Sequence, residues 1–359
     1  MKTAKHLFQR ITSFETVLSA ARLAAKGKGA KQPNLRFFMY LEDNVWKIVS
    51  ELKDKSYRPG PYTIFAICYP KPRMISAAPF YDRVVHHALI SVVGPLLEKT
   101  FVFDTYANRK GKGTHLAIER YQHYLRRYRY ALKCDIRKFF PSIDHAILKS
   151  LLRRKIGCAD TLWLIDTIID NSNRQEEHVH YFPGDDLFAP FERRRGLPIG
   201  NLTSQFFANY YLGFLDHFVK ESLRCKGYVR YVDDFVLFAD TKQQLWAWHE
   251  EIERYLEQFR LILNPVRTAL YPTSEDRCFL GQRVFPACRM LPSKNVRAAK
   301  RRVKAGATLG AEDFRQSVSG WVGHARQADT FRLLQSMGLT DLQGSFSRIG
   351  QEWAFFPVS

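Results

Sequence analysis

Two adjacent carboxylates are the residues of this chain best suited to metal chemistry. Asp233 and Asp234 lie between two short runs rich in Val, Tyr, Phe and Leu, at residues 228–232 and 235–239. Such runs indicate two strands joined as a hairpin, with the Asp pair at its turn. Buried unpaired charge is costly, so the pair needs cations, and hard oxygen ligands suit Mg²⁺. An ordinary hairpin with a polar turn has the same composition, so the pair alone does not decide.

A third carboxylate, Asp135, lies upstream at the end of another strand-like run. Asp135 directly follows the run 130–134, which is typical of a strand. The amphipathic run 146–156 comes next and predicts a helix, with Asp144 or Ser142 as its N-cap. Two strand-end carboxylate motifs, about one hundred residues apart, favour a metal site over a solvated turn.

Together these two motifs resemble motifs A and C of the reverse transcriptases, namely a strand followed by Asp-x₄-Phe, and later Tyr-Val-Asp-Asp. The resemblance implies an α+β right-hand polymerase of fingers, palm and thumb, with an antiparallel palm sheet and a helical thumb. It also implies that Asp135 and Asp233 bridge two Mg²⁺ ions, with Mn²⁺ as an alternative. Asp234 completes the acidic site, and Ile136 is included among the metal ligands.

The same resemblance implies a nucleotide site built from several segments. Its expected members are Lys71, Arg73, Arg109, Phe140, Ile199, Gly200 and Arg267. Arg73 and Lys71 belong to a turn between two strand-like runs that resembles the fingers hairpin, and arginine suits bidentate contact with phosphate. A solvated basic turn is the alternative for both residues.

Three further segments complete this expected site. Arg109 lies in a Gly-rich basic loop before a helix, a setting that binds phosphate well. Phe140, five residues after Asp135, is expected beneath the sugar of the incoming nucleotide, with Phe139 facing the core. Arg267 takes the place of the lysine usual in motif D, and arginine does not readily release a proton.

The segment at residues 196–209 resembles motif B, which in most members reads Gln-Gly-x-x-x-Ser-Pro. Here Ile199 takes the Gln position, Gly200 follows it, and Gln205 takes the Pro position. This form resembles the reverse transcriptases of diversity-generating retroelements. An ordinary capped core helix is the alternative, because much of the segment that follows is apolar.

A basic helical face is predicted near the C-terminal end. Its residues at helical spacing are Arg297, Lys300, Arg301 and Lys304, while Val296, Ala299 and Val303 form the opposite face. We expect the basic face to follow the backbone of an RNA–cDNA duplex, with a solvated face as the alternative.

Composition agrees with a polyanion-binding enzyme. The 359 residues include 55 Lys+Arg against 35 Asp+Glu, a formal charge of +20, and are 46% hydrophobic. Such content supports a large packed core, which excludes a basic tail protein. The sequence contains no run of about 18 apolar residues, so it predicts no membrane-spanning helix. We expect a cytoplasmic protein. None of the six cysteines forms a CxxC pair, and we expect them to be reduced and buried.

From these patterns we expect three regions: a basic N-terminal helical segment at 1–57, interleaved fingers and palm at 58–290, and a helical thumb at 291–359. The expected function is synthesis of cDNA on a template RNA from dNTPs, error-prone at template adenines, within a diversity-generating retroelement. The resemblance also implies a small, basic, helical accessory protein, pentameric in relatives, as a partner. A group II intron-like or phage-defence reverse transcriptase is the near alternative, and an inactive RNA-binding scaffold is the alternative from another class.

Overall fold

The structure is a computed structural model. It describes residues 4, 6–27, 32–67, 72–173, 179–305, 311–339, 345–349 and 352–356. Its helices are α1 (Leu7–Ile11), α2 (Phe14–Ala25), α3 (Gln32–Met39), α4 (Leu41–Lys53), α5 (Phe80–Glu98), α6 (Thr114–Leu125), α7 (Phe139–Ser142), α8 (His145–Arg153), α9 (Ala159–Asp170), α10 (Ala189–Glu192), α11 (Leu202–His217), α12 (Lys242–Glu257), α13 (Ser293–Ala305), α14 (Ala311–Ala325) and α15 (Phe331–Ser336). A π-helical turn at Phe218–Ser222 extends α11.

Within the described ranges, the strands form four antiparallel sheets. They are β1 (Thr63–Ile67), β2 (Arg73–Ala77), β3 (Tyr130–Cys134), β4 (Gly227–Tyr231), β5 (Asp234–Ala239), β6 (Ala269–Pro272), β7 (Arg277–Phe279), β8 (Gln282–Val284), β9 (Arg289–Met290), β10 (Ser345–Ile349) and β11 (Glu352–Phe356). The largest sheet has the order β4-β5-β3-β6 and corresponds to the palm. The α+β class with an antiparallel palm sheet is therefore confirmed.

One continuous core lies between the palm strands and the helices around them. It includes Leu132 of β3 and Phe235 of β5, both fully buried, and it extends to Val84 of α5. Val17 of α2 and Val45 of α4 belong to the same cluster. The N-terminal helices therefore pack on the same core as the palm, and the division expected after residue 57 stays a prediction.

The C-terminal region has a small core of its own. Val318, Val322 and Leu334 pack together there, with Val296 and Val303 of α13 against them. The expected amphipathic character of α13 is thus confirmed. The helices α13–α15 lie in the segment expected to form a helical thumb. The sequence patterns did not predict the β10–β11 hairpin that comes after them.

Two sequence expectations need correction. The palm hairpin has Val232 and Asp233 at its turn, because Tyr231 pairs with Asp234, so Asp234 already belongs to β5. Of the cysteines expected to be buried, Cys134 and Cys225 are buried, Cys158 and Cys288 are partly buried, and Cys68 lies outside the described residues. Cys278 is exposed, because it lies on β7 in a small sheet outside the main core. No helix among the described residues is long and apolar enough to cross a membrane.

Candidate active site

The turn between β4 and β5 is tight and carries a strained residue. Val232 has a φ of 59°, in the left-handed region, where a β-branched residue is a conformational outlier. Such a residue costs about 1–3 kcal/mol and persists only where surrounding contacts enforce it. Two-residue turns with positive φ match the twist of the flanking strands. The strain is thus part of the geometry that places Asp233 at the tip.

Asp135 reaches the same end of the sheet from the neighbouring strand. Cys134, the last residue of β3, pairs with Phe235 of β5, so Asp135 follows beside Asp234. The main-chain oxygen of Asp135 accepts a hydrogen bond of 2.8 Å from the backbone N–H of Asn264. The expected meeting of three carboxylates at one sheet end is therefore what the fold produces.

The electrostatics of this end show an excess of negative charge. Burial, followed by the charges of Asp135 and Asp234, raises the pKa of Asp233 from 3.8 to about 6, and Arg73 opposes this rise weakly. The carboxylate at the turn is therefore ionised only at a cost. Divalent cations relieve such a cost, and carboxylate oxygens are hard ligands that suit Mg²⁺.

Two basic side chains lie against these carboxylates. Arg267 Nη1 donates to Asp135 Oδ2 at 2.8 Å, and Lys133 Nζ lies 3.4 Å from Asp234 Oδ1. The hydrogen bond to Asp135, with the charge of that carboxylate, raises the pKa of Arg267. Within the part of the chain that the structure describes, no three His, Cys, Asp or Glu side chains form a ready-made metal cage. Mg²⁺ is usually bound through one or two carboxylates plus substrate phosphates, so the donor set still fits this ion.

The side chain of Ile136 is apolar and 1% exposed, and it offers no ligand atom. Only its main-chain carbonyl could therefore serve the metal role that the resemblance implies. Its chain position is fixed by an isolated bridge to Leu263.

Hydrogen bonds join the start of α11 to strand β2. The carbonyl of Ile199 accepts from the backbone N–H of Ser76 at 3.0 Å. Asn201 is the N-cap residue, but its side chain bonds Ser76 O at 2.9 Å and Ala78 N at 3.2 Å and makes no cap hydrogen bond. The sequence offers Thr203 or Asn201 as the cap of this helix; Asn201 occupies the N-cap position, but its side chain joins two segments instead of capping the helix.

Gly200 is required by backbone shape and by space. Its φ of 114° disfavours L side chains, and a Cβ there would lie 2.9 Å from Ile75 Cγ2. Both features allow the chain to pass closely over β2. Ile199 is partly exposed beside it, so its side chain remains accessible to a ligand.

The two phenylalanines after Asp135 differ in burial as expected. Phe139 is 2% exposed and lies in the core, while Phe140 is partly buried and packs against the core edge. They occupy the short helix α7, so their different directions come from a helical turn and not from strand alternation. The role of Phe140 beneath a sugar stays a prediction.

The remaining expected nucleotide contacts have different surroundings. Arg73 is exposed at the start of β2, and Lys71 lies outside the described residues. Arg109 is mostly buried, with Nη1 donating to Val102 O at 2.6 Å and to Thr105 O at 3.0 Å. In this structure Arg109 braces its own loop, and contact with template or triphosphate would require the guanidinium to leave these partners.

The basic face of α13 is exposed, as expected. Its four predicted nucleic-acid contacts are Arg297, Lys300, Arg301 and Lys304. They lie on α13, in the C-terminal region with its own small core, and not in the carboxylate cluster. Their contact with a duplex stays a prediction.

Two basic residues near the turn were missed by sequence reasoning. Lys133, on β3, and Arg230, on β4, are charged residues within otherwise apolar strands. The signal was present in the sequence, because a basic residue inside a buried strand beside carboxylates needs a partner.

Comparison with known proteins agrees with this geometry. Residues 68–284, more than half of the chain, match the family described as reverse transcriptase (RNA-dependent DNA polymerase). The chain belongs to this family. It is an RNA-directed DNA polymerase, a class that works with template RNA, dNTPs and a divalent metal ion.

Individual relatives of this reverse transcriptase are distant. Protein YkfC of Escherichia coli (strain K12) is 25% identical over 331 residues, covering 78% of this chain and 83% of that protein. The group II intron-encoded protein LtrA of Lactococcus lactis subsp. cremoris is 25% identical over 183 residues, covering 50% of this chain but only 29% of LtrA. Apo telomerase from Candida tropicalis aligns with a TM-score of 0.46 at 13% identity, covering 68% of this chain and 59% of that one.

Neutralising Asp233 is expected to stabilise the metal-depleted reverse transcriptase. Its folded pKa lies above 3.8, so its destabilising contribution is fully present above pH about 6 and disappears as the pH falls below 3.8. In EDTA above pH 6, Asp233→Asn should raise Tm by about 2 °C, and added Mg²⁺ should stabilise the wild type more than the variant.

Asp240→Asn is the matched control for this measurement. Its carboxylate follows the far end of β5, where it accepts from Arg129 N at 3.2 Å, so the variant should gain no stability. A lower Tm for Asp233→Asn than for the wild type in EDTA would contradict the charge-repulsion account.

Proposed function

We propose that this reverse transcriptase copies template RNA into cDNA by two-metal nucleotidyl transfer, with Asp135, Asp233 and Asp234 as its catalytic carboxylates. The observation that carries the proposal is the convergence of three carboxylates at one end of the palm sheet, where the pKa of Asp233 is raised. An inactive RNA-binding scaffold has no use for such a costly cluster. In this family's chemistry, bound Mg²⁺ activates the primer 3′-hydroxyl and stabilises charge on the leaving pyrophosphate.

The basic residues have complementary roles in this proposal. Asp135 and Asp233 would hold the two ions, and Arg267, which now bonds Asp135, would turn to the triphosphate of a bound nucleotide. Arg73, exposed at the start of β2, contacts the phosphates bidentately, and Lys71 assists it. Lys133, 3.4 Å from Asp234, balances charge beneath the site.

Nucleic acid occupies the surfaces on either side of the carboxylates. The exposed face of α13 follows the RNA–cDNA duplex, which matches the chain's charge of +20. We place the region boundaries after residues 57 and 290, with the second marked by the separate core of the thumb. Arg109, although it braces its loop, remains a candidate contact for the template strand.

Within the family, we assign the enzyme to a diversity-generating retroelement. The observation that carries this assignment is the segment Ile-Gly-Asn-Leu-Thr-Ser-Gln at 199–205, with Ile199 in the position of the usual Gln. A small, basic, helical accessory protein is the expected partner. The second candidate is a group II intron-like role, favoured by the 25% identity to LtrA. Neighbouring DNA with an imperfect repeat pair differing mainly at adenines would distinguish the two.

Loss of any catalytic carboxylate should abolish primer extension. Asp135→Asn, Asp233→Asn and Asp234→Asn keep the shape of each side chain but remove the negative charge that holds the metal ions. We expect at least a thousandfold lower extension rate with folding and RNA binding nearly intact, in line with losses of other essential catalytic groups.

Asp186→Asn is the matched control, because it also belongs to an Asp-Asp pair. Its carboxylate accepts from the backbone N–H groups of Phe188 and Ala189 in a surface turn, and an Asn oxygen can do the same. Wild-type extension by Asp233→Asn would contradict the two-metal assignment.

Phe140 is proposed to exclude ribonucleotides. A ring beneath the sugar would collide with a 2′-hydroxyl, so Phe140→Ala should raise ribonucleotide incorporation relative to deoxyribonucleotide incorporation. The readout is the ratio of kcat/KM for the two nucleotides. Phe139→Ala serves as the control, since its ring is 2% exposed and lies in the core, where truncation costs stability. If only Phe139→Ala changes the ratio, the gate is Phe139.

Ile199 is proposed to lower fidelity opposite template adenine. A Gln in this position can hydrogen-bond the incoming nucleotide, whereas Ile cannot, and one such bond is worth about 1 kcal/mol, or several-fold in selectivity. This is too little to explain strong adenine mutagenesis alone, so Arg73 and the pairing strength of the template contribute too. Sequencing cDNA from an adenine-rich template should show fewer errors opposite adenine for Ile199→Gln. Equal error spectra would reduce Ile199 to a packing residue.

A further inference from the structure

Arg230 is a fully buried charge three residues before Asp233. Its side chain and that of Asp216, its partner on α11, are both 0% exposed. Arginine is almost never buried in this way unless it is paired and hydrogen-bonded throughout. Arg230 lies on β4, directly before the turn that carries Asp233. The partner of each of its hydrogen bonds therefore bears on the geometry of that turn.

Every N–H group of the Arg230 guanidinium has an acceptor. Nε and Nη2 donate to the two oxygens of Asp216 at 2.6 and 2.5 Å, and Nη2 also donates to Asn209 O at 3.3 Å. Nη1 donates to Asn209 Oδ1 at 3.0 Å and to Val232 O at 2.8 Å. The guanidinium is planar and its five donors are fixed relative to one another. Asp216 and Asn209 therefore determine where the bond to Val232 points.

The hydrogen bond from Arg230 to Val232 O is the one that reaches the turn carrying Asp233. Val232 O belongs to the planar peptide unit that joins Val232 to Asp233, so the direction of this carbonyl sets the direction in which Asp233 leaves the turn. Val232 does not favour its own conformation, because its φ of 59° is strained for a β-branched residue. The turn thus needs an external contact, and Arg230 supplies one from beneath.

The anchors of Arg230 are themselves fixed. Asp216 also accepts from Tyr228 OH at 2.7 Å and from Thr105 Oγ1 at 2.8 Å. Asn209 Nδ2 donates to Ala107 O at 3.1 Å. Asn209 and Asp216 are seven residues apart, about two turns of α11, and so lie on one face of that helix.

We propose that Arg230 is a positioning residue, which aims the carboxylate of Asp233 by holding the carbonyl of Val232 against anchors on α11. This inference rests on the proposed catalytic role of Asp233. Four of the five hydrogen bonds of Arg230 hold it against α11, and the fifth reaches Val232 O in the turn. The buried ion pair would therefore orient the turn as well as stabilise the fold.

Arg230→Lys tests the proposal directly. Lysine keeps the charge next to Asp216, but its single ammonium cannot reproduce the planar fork that reaches Val232 O. We measure Tm, and then kcat and KM for dNTP on a primed RNA template at a temperature where each protein is folded. We expect kcat to fall about 10–100-fold, KM to change less than about threefold, and half-maximal activity to need more Mg²⁺.

Tyr228→Phe is the matched control on the same strand. It removes one hydrogen bond to Asp216 and leaves every bond of Arg230 in place. We expect a lower Tm with kcat within about twofold of the wild type. A purely structural role for Arg230 predicts instead that both variants have wild-type kcat and Mg²⁺ dependence once they are folded.

A second variant answers the case in which Arg230→Lys does not fold. Arg230→Gln combined with Asp216→Asn removes both buried charges together, and so leaves neither charge unpaired. A low kcat in this folded double variant supports positioning, and wild-type kcat and Mg²⁺ dependence in either folded variant overturn it. Asp233→Asn in the same assay separates the two claims: if it is active, the catalytic assignment fails, whereas if it is inactive and the Arg230 variants are normal, only the positioning role fails.

Discussion

Mutual repulsion among three carboxylates at the end of an apolar sheet is the constraint on which the rest of this site depends. Burial and the charges of Asp135 and Asp234 raise the pKa of Asp233 to about 6, so the cluster is destabilising until positive charge reaches it. Arg267 and Lys133 supply part of that charge in this structure. The proposed metal ions and triphosphate would replace Arg267 beside Asp135.

A second structural feature is the direct connection between β2 and the palm sheet through α11. Asn201 joins the start of α11 to β2, and Asn209 and Asp216 join its later turns to Arg230 beneath the turn between β4 and β5. One helix therefore contacts both the strand that begins at Arg73 and the network that supports Asp233. Long buried hydrogen-bond networks of this kind fix a single geometry, because any displaced member leaves a buried polar group unpaired.

Sequence patterns predicted the parts of the site that depend on local chemistry. The palm strands followed from β-branched and aromatic runs, the exposed face of α13 from helical periodicity, and Asp135, Asp233 and Asp234 from their positions at strand ends. The patterns failed where the outcome depends on partners distant in sequence. Asn201 is a residue type favoured at helix N-caps, but its side chain bonds a strand more than 120 residues upstream. Neighbouring carbonyls bond the guanidinium of Arg109, which its basic loop did not indicate, and its contact with nucleotide stays a prediction. The turn lies one residue earlier than predicted, because the sheet register pairs Tyr231 with Asp234.

The most direct test of the central claim is to locate the metal ions themselves. Crystals of the enzyme with primer, template RNA, a non-hydrolysable dNTP and Mn²⁺ would reveal the ions by anomalous scattering. The account predicts two peaks that share Asp135 and Asp233 as ligands, with the Arg267 side chain moved from Asp135 to the triphosphate. Peaks away from these carboxylates, or Arg267 still bonded to Asp135 in the complete complex, would contradict it.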